Sequence, residues 1–247
     1  MVGLGTVINV AAILVGASIG VLIGHRLPER TRTTVTDALG LVTLVIGGLN
    51  VVALQDDAFT AAVGGGVTLL VVLAALLIGG IAGSLLGLES RLEELGAWLQ
   101  RRLAPGEGSG SRARFVEGFV DSSLIFCIGP LAVLGALSDG LGQGIDELAL
   151  KSALDGFAAI AFAASLGWGV AASALSVGVW QGLLTVVAVI VGDIMSPELV
   201  AALTATGGVL LLGVGLRLLA VKAVPVGDML PALVVAPLLT AAVAAWV

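Results

Sequence analysis

The chain of 247 residues holds one cysteine, one histidine and no tyrosine, and Asp, Glu, Lys and Arg together make up only 11% of it. Each scarcity removes a class of explanation. A lone thiol, Cys127, allows no intrachain disulfide and no cysteine-based metal site. A lone imidazole, His25, argues against a Ser–His hydrolase and against a histidine-based metal centre. No metal or cofactor is therefore expected. No basic patch interleaved with aromatics exists, so a nucleic-acid partner is not expected either. The shortage of charge also excludes a soluble domain. With 58% hydrophobic residues and a mean hydropathy of +1.16, too little polar surface remains to cover a water-exposed fold.

What is present is a series of long apolar runs. A helix needs about 20 apolar residues to cross a hydrocarbon core of roughly 30 Å. Eight runs qualify, at 4–24, 33–54, 61–87, 118–137, 149–166, 169–192, 198–221 and 229–247. The expected fold is all-α, a polytopic membrane bundle of about eight spans. The first run has no positive n-region and no small-residue cleavage site, so it reads as a retained helix. Spans five and six are separated only by Gly167-Trp168-Gly169, a tight helical hairpin.

The charges sort by side. Arg26, Arg30 and Arg32 follow span one; Arg91, Arg101, Arg102, Arg112 and Arg114 follow span three; Arg217 and Lys222 close span seven. Eight spans put all ten on one side, which the positive-inside rule makes cytoplasmic. The opposite loops carry Asp56, Asp57, Asp139, Asp146, Glu147, Asp193 and Glu198. Both termini are therefore expected outside. Trp98, Trp168 and Trp246 fall at the expected interfaces.

Four segments are expected. Residues 1–87 form a three-helix membrane unit and 116–247 a five-helix unit. Between them, 88–104 is an amphipathic helix with Leu88, Leu92, Leu95, Leu99 and Leu103 on one face, lying in the inner interface or extending span three. Residues 105–115 form a flexible linker rich in Gly and Ser. A weak likeness between 40–57 and 207–224, matching Gly40, Gly48 and Leu49 to Gly207, Gly215 and Leu216, suggests that spans one to three correspond to six to eight. A shift of five spans makes that repeat inverted, as in many secondary transporters. Chance matching of Gly/Leu/Val-rich helices is the other explanation.

Two glycine ladders, Gly16-Gly20-Gly24 and Gly79-Gly83-Gly87, suit close helix packing, against each other or at a homodimer contact. Helix breaks are expected at Pro130, at Pro237 and at Gly64-Gly65-Gly66. Backbone freed at membrane depth is tolerated when buried in protein or lining a wet cavity.

Polar residues within the spans are few: Asn9, Asn50, Asp121, Ser122, Ser123, Lys151, Ser152, Asp155, Gln181 and Arg217. Asp155 is the deepest ionisable one, roughly 9 Å inside the outer edge at about 1.5 Å per residue. Lys151 lies one turn away and can neutralise it. The pair either lines a solute path or pins span five near the surface. Asn9, Asn50 and Gln181 serve equally as interhelical hydrogen-bond partners or ligands. Gly227-Asp228 with Pro231-Ala232-Leu233 resembles fragments of intramembrane aspartyl proteases, but the Gly-x-Gly-Asp signature is missing, and enzyme activity is not expected.

Several segments together resemble one family. They include Gly5-Thr6 with Asn9, Phe126-Cys127-x-Gly129, Asp139-Gly140-Leu141, Lys151-Ser152-x-Leu154-Asp155-Gly156, Gln181-Gly182 and Leu230-Pro231-Ala232-Leu233. The pattern is similar to the bacterial membrane proteins grouped as domain-of-unknown-function family 554, the YdfK/YqgA type. The resemblance implies an inner-membrane protein and supplies no catalytic residues; Pro130 departs from it. From the residues themselves, the leading expectation is a transporter of a small solute or ion by alternating access, with Asp155, Lys151 and the Pro130 break on its path. An oligomeric channel and a membrane scaffold that docks through 88–104 are the alternatives. Beyond the lipid bilayer and the solute, the expected partner is a second copy in a homodimer.

Overall fold

The computed structural model describes residues 2–24, 26–103, 109–191 and 196–246. His25, residues 105–108 of the expected linker and Asp193 lie outside the described residues, and the linker reading of 109–115 is corrected, since a helix begins at Ser109. Twelve α-helices follow one another: α1 (Leu4–Gly24), α2 (Glu29–Val51, prolonged by a 3-10 turn, Val52–Gln55), α3 (Asp57–Val63), α4 (Thr68–Leu86), α5 (Leu88–Leu103), α6 (Ser109–Cys127), α7 (Pro130–Gly140), α8 (Asp146–Leu166), α9 (Gly169–Val191), α10 (Pro197–Leu218), α11 (Val226–Met229) and α12 (Ala232–Ala244). No strand occurs among the described residues. Local chemistry sets the boundaries. Asp56 accepts from the amides of Ala58 and Phe59 at 2.9 and 3.2 Å and starts α3. Gly64, at φ 88°, ends it. The Gly167 turn, at φ 79°, separates α8 from α9.

The helices form two compact units, each drawing on chain from both sides of the linker. One comprises 1–39, 92–127 and 131–193; the other comprises 40–91, 128–130 and 194–247. Many apolar side chains face outward, among them Leu22 (69% exposed) in the first unit and Leu85 (83%) in the second. Lipid is the solvent that accommodates such a surface.

In the first unit, α1 lies on α8 with almost no space between backbones. A β-carbon on Gly16, Gly20 or Gly24 would strike the carbonyl oxygen of Gly156, Ile160 or Ala164 respectively. In the second unit, Gly79 and Gly83 meet Ala232 and Asp228 in the same way, and Gly47 meets Gly208. The expected pairing of the two glycine ladders with each other is thus corrected. Each ladder is used against a different helix of its own unit, and Gly87 instead closes α4 in a left-handed C-cap.

These contacts also fix the number of crossings. Residue numbers rise together along α1 and α8, so those helices are parallel. They run in opposite senses along α2 and α10 (Gly40 beside Gly215, Gly47 beside Gly208) and along α4 and α11–α12. Among the described residues, seven single helices are long and apolar enough to span, and α6 with α7 forms one further pair bent by 63°. If the pair crosses once, spans alternate so that one and five agree while two and seven, and three and eight, oppose. All three registers are observed. Without that crossing, each would be reversed. Moreover, Phe115 of α6 packs on Gly169 at the start of α9, and Gly140 of α7 packs on Thr185 and Ala188 near its end. The bent pair therefore runs alongside α9 as one broken span, giving eight.

The Pro130 break is present, between Cys127 and Pro130, with Gly129 at φ 154°. The glycine-triplet break is present between α3 and α4. The break expected at Pro237 is corrected: α12 runs through that residue, and the chain turns earlier, at Leu230–Pro231. Pro231 immediately precedes the first residue of α12, where a missing amide costs nothing. Pro237 removes one amide donor without redirecting the helix.

Gly20→Leu is expected to force α1 and α8 apart and to destabilise the protein by about 1–3 kcal/mol, whereas Gly48→Ala, with open space at its β-position, leaves stability unchanged. Thermal unfolding of both variants in detergent, beside the parent, checks this.

Candidate functional site

The buried stripe of α1 continues from the ladder toward its start: Ile13 and then Asn9 occupy the same face, both fully buried. Opposite, α8 buries Leu148, Lys151, Ser152, Asp155, Ala159 and Phe162. Lys151 and Asp155, one turn apart, form an ion pair with Nζ 2.6 Å from Oδ2. Asn9 Nδ2 donates to the same carboxylate oxygen at 3.0 Å and to Gln181 Oε1 of α9 at 3.3 Å. Ser152 Oγ donates to the Leu148 carbonyl at 2.6 Å and thus faces its own helix. α1 therefore converges with the distant hairpin of α8 and α9 on one acid, one amine and two amides. Phe126, near the end of α6, packs edge-on against Phe162 of α8 with ring centroids 6.2 Å apart, and Gly135 of α7 meets Leu148 and Glu147, so both halves of the broken span lie against α8.

The cluster is not saturated. Asn9 Oδ1, Gln181 Nε2 and Thr6 Oγ1 are buried and have no hydrogen-bond partner among the described residues. A buried polar atom left unmet costs about 1–3 kcal/mol, and native proteins satisfy the great majority of such atoms. The arrangement thus keeps an acceptor, an amide donor and a hydroxyl beside an ion pair inside a membrane bundle.

Of the other candidates, Asp121 and Ser122 are fully buried in α6, and Ser123 bonds Ser176 of α9 at 3.0 Å. Pro130 begins α7, and its side chain lies outside the described residues. Asn50 and Arg217 belong to the second unit. Asn50 is half-buried, close to Gly208 of α10. Arg217 pairs with Glu89 at the start of α5. Glu89 also accepts from the Gly227 amide at 2.6 Å, while its own amide donates to Asp228 at 2.8 Å. These bonds give Gly227 and Asp228 a structural duty, tying the start of α5 to α10 and α11.

Sequence reasoning missed the role of Asp139. It is 2% exposed at the end of α7 and accepts from the amides of Gly3 and Gly5, each at 3.0 Å. It is thereby the anionic cap of α1. Glu89 was missed as well. The signal for both was their position at helix ends next to glycines, but the partners lie 134 and 138 residues away.

The family described as Protein of unknown function (DUF554) matches residues 4–241, nearly the whole chain. The chain belongs to this family. Among DUF554 relatives, it is 33% identical over 243 residues to the uncharacterized protein YqgA of Escherichia coli (strain K12), covering 98% of each chain. It is 27% identical over 210 residues to the uncharacterized membrane protein YdfK of Bacillus subtilis (strain 168), covering 84% of this chain and 82% of that one. No solved structure matches it. This DUF554 chain is a membrane protein by its own spans and by likeness to YdfK.

Asp155→Leu alone leaves Lys151 without its counter-charge and is expected to cost about 3 kcal/mol, whereas Lys151→Met combined with Asp155→Leu recovers most of the loss. A double-mutant cycle on denaturant-induced unfolding in detergent measures the coupling; strictly additive effects would contradict the pairing.

Proposed function

We propose that this protein carries a small polar solute or ion across the bacterial inner membrane by alternating access, and that Asn9, Lys151, Asp155 and Gln181 form its binding site. The observation that carries the reading is the buried cluster with unmet polar atoms. Placing an acid in oil costs at least about 2.5–3.5 kcal/mol, and such residues in membrane helices mark solute and ion pathways by default. An ion pair kept only for anchoring would satisfy its neighbours; here Asn9 and Gln181 retain hydrogen-bonding capacity.

Two further features favour the reading. The bent α6–α7 pair packs on α8, the helix that carries Lys151 and Asp155, and discontinuous helices bring backbone groups to bear on solutes at membrane depth. The order span, short helix, break, span occurs twice, as α2–α3–α4 and as α10–α11–α12. That order supports the inverted repeat of spans one to three with six to eight. The arginine-rich ends then face the cytoplasm, with both termini outside.

Saturable uptake into reconstituted vesicles is the measurement. Thermal shift against Na⁺, K⁺ and small organic anions selects the solute, because only a ligand preferring the folded state raises the melting point. Asp155→Asn, an isosteric change, is expected to reduce uptake to that of empty vesicles while the protein stays folded. Unchanged uptake removes the site; non-saturating conductance turns the reading to a pore. In a Cys127→Ala background, cysteines placed at Gly110 and Gln143 should label from opposite sides, the first from inside.

A further inference from the structure

Where α1 and α8 end and α6 and α9 begin, the first unit holds a cavity of about 140 Å³. Arg32, Arg114, Ser111, Ser165 and Trp168 supply its polar lining. Arg32 donates from Nε and Nη2 to the Gly24 carbonyl, at 3.1 and 2.6 Å. That bond neutralises the negative end of α1 and holds the guanidinium at the cavity. Neither Arg32 nor Arg114 has a carboxylate partner among the described residues. Two guanidiniums at one cavity, neither with a carboxylate partner among the described residues, fit a phosphate group.

A second cavity of about 360 Å³ adjoins the first and shares Phe115 and Trp168 with it. Its other lining residues, Leu14, Ala171 and Ala172, are apolar, and it opens where Leu14 and Trp168 are each almost half exposed. Leu14 lies ten residues before Gly24, about 15 Å along α1, which is half the thickness of a hydrocarbon core. The pair of cavities thus has a basic head at the helix ends and an apolar groove leading toward mid-bilayer. Free phosphate would occupy only the head.

We infer that this composite cavity is a binding site for an anionic phospholipid, with the headgroup phosphate on Arg32 and Arg114 and one acyl chain in the groove beneath Phe115 and Trp168. Basic pockets between transmembrane helices suit anionic headgroups in general. The site is separate from the Asn9–Asp155 cluster, and its test does not require transport.

The experiment uses the full-length protein, delipidated in neutral detergent, with phosphatidylglycerol, phosphatidylcholine or inorganic phosphate added. Native mass spectrometry reads the retained lipid, and thermal unfolding reads stabilisation. Phosphatidylglycerol should be retained and should raise the melting temperature, while phosphatidylcholine and inorganic phosphate do neither. Arg114→Gln should weaken phosphatidylglycerol retention about fivefold, the worth of one basic residue at a membrane surface. Ala172→Trp, which fills the groove, should abolish retention. Arg32→Gln also loosens the end of α1, so the exposed Arg114 decides the matter. Equal retention of both lipids, stabilisation by inorganic phosphate alone, or an Arg114→Gln variant that retains lipid as the parent does would each overturn the assignment.

Discussion

The backbone contact between α1 and α8 sets the geometry of the first unit. Glycine at 16, 20 and 24 lets carbonyls of α8 occupy the space where side chains would stand. The gain is dispersion along the length of two helices at minimal separation, in a medium that provides no hydrophobic force between them. The same register brings the Asn9 face of α1 onto the Lys151–Asp155 face of α8, and Asp139 holds the start of α1 where its amides can be capped. A shift of one turn would pull Asn9 off the carboxylate and Gly3 and Gly5 off Asp139.

The polar cluster makes physical sense only inside that frame. A lysine and an aspartate one turn apart neutralise each other on any helix. Two amides from other helices join that pair, and each keeps one buried hydrogen-bonding atom unmet among the described residues. The broken span packs on α8, which carries the pair. In the second unit, Arg217 pairs with Glu89, and Glu89 and the neighbouring Asp228 meet the ends of α5 and α11.

Much of this was legible before any coordinates. Span limits follow from runs of apolar residues, whose length the bilayer dictates, and each of the eight runs overlaps an observed helix, the fourth straddling the break between α6 and α7. The asymmetry of the arginines pointed to the even count that the helix registers require. Asn9, Lys151, Asp155 and Gln181 stood out because polar groups are rare in oil. Their convergence was not legible, since nothing local links residue 9 to residues 155 and 181. The ladder partners failed for the same reason. A glycine stripe announces a close neighbour without naming it, and two similar stripes invite a false match. Pro237 misled because α12 continues through it although the proline removes one amide donor, and the interruption of the helix lies earlier, at Leu230–Pro231.

The parallel pairing of α1 with α8 has a consequence for biosynthesis. The partner carboxylate of Asn9 lies 146 residues downstream. At 5–20 residues per second, the first helix waits roughly 7–30 s after leaving the ribosome before its mate is made. Throughout that delay, a bare glycine stripe and an amide side chain sit in lipid or against an insertion factor. Early synthesis of this chain therefore depends on whatever shelters a lone helix until its companion arrives.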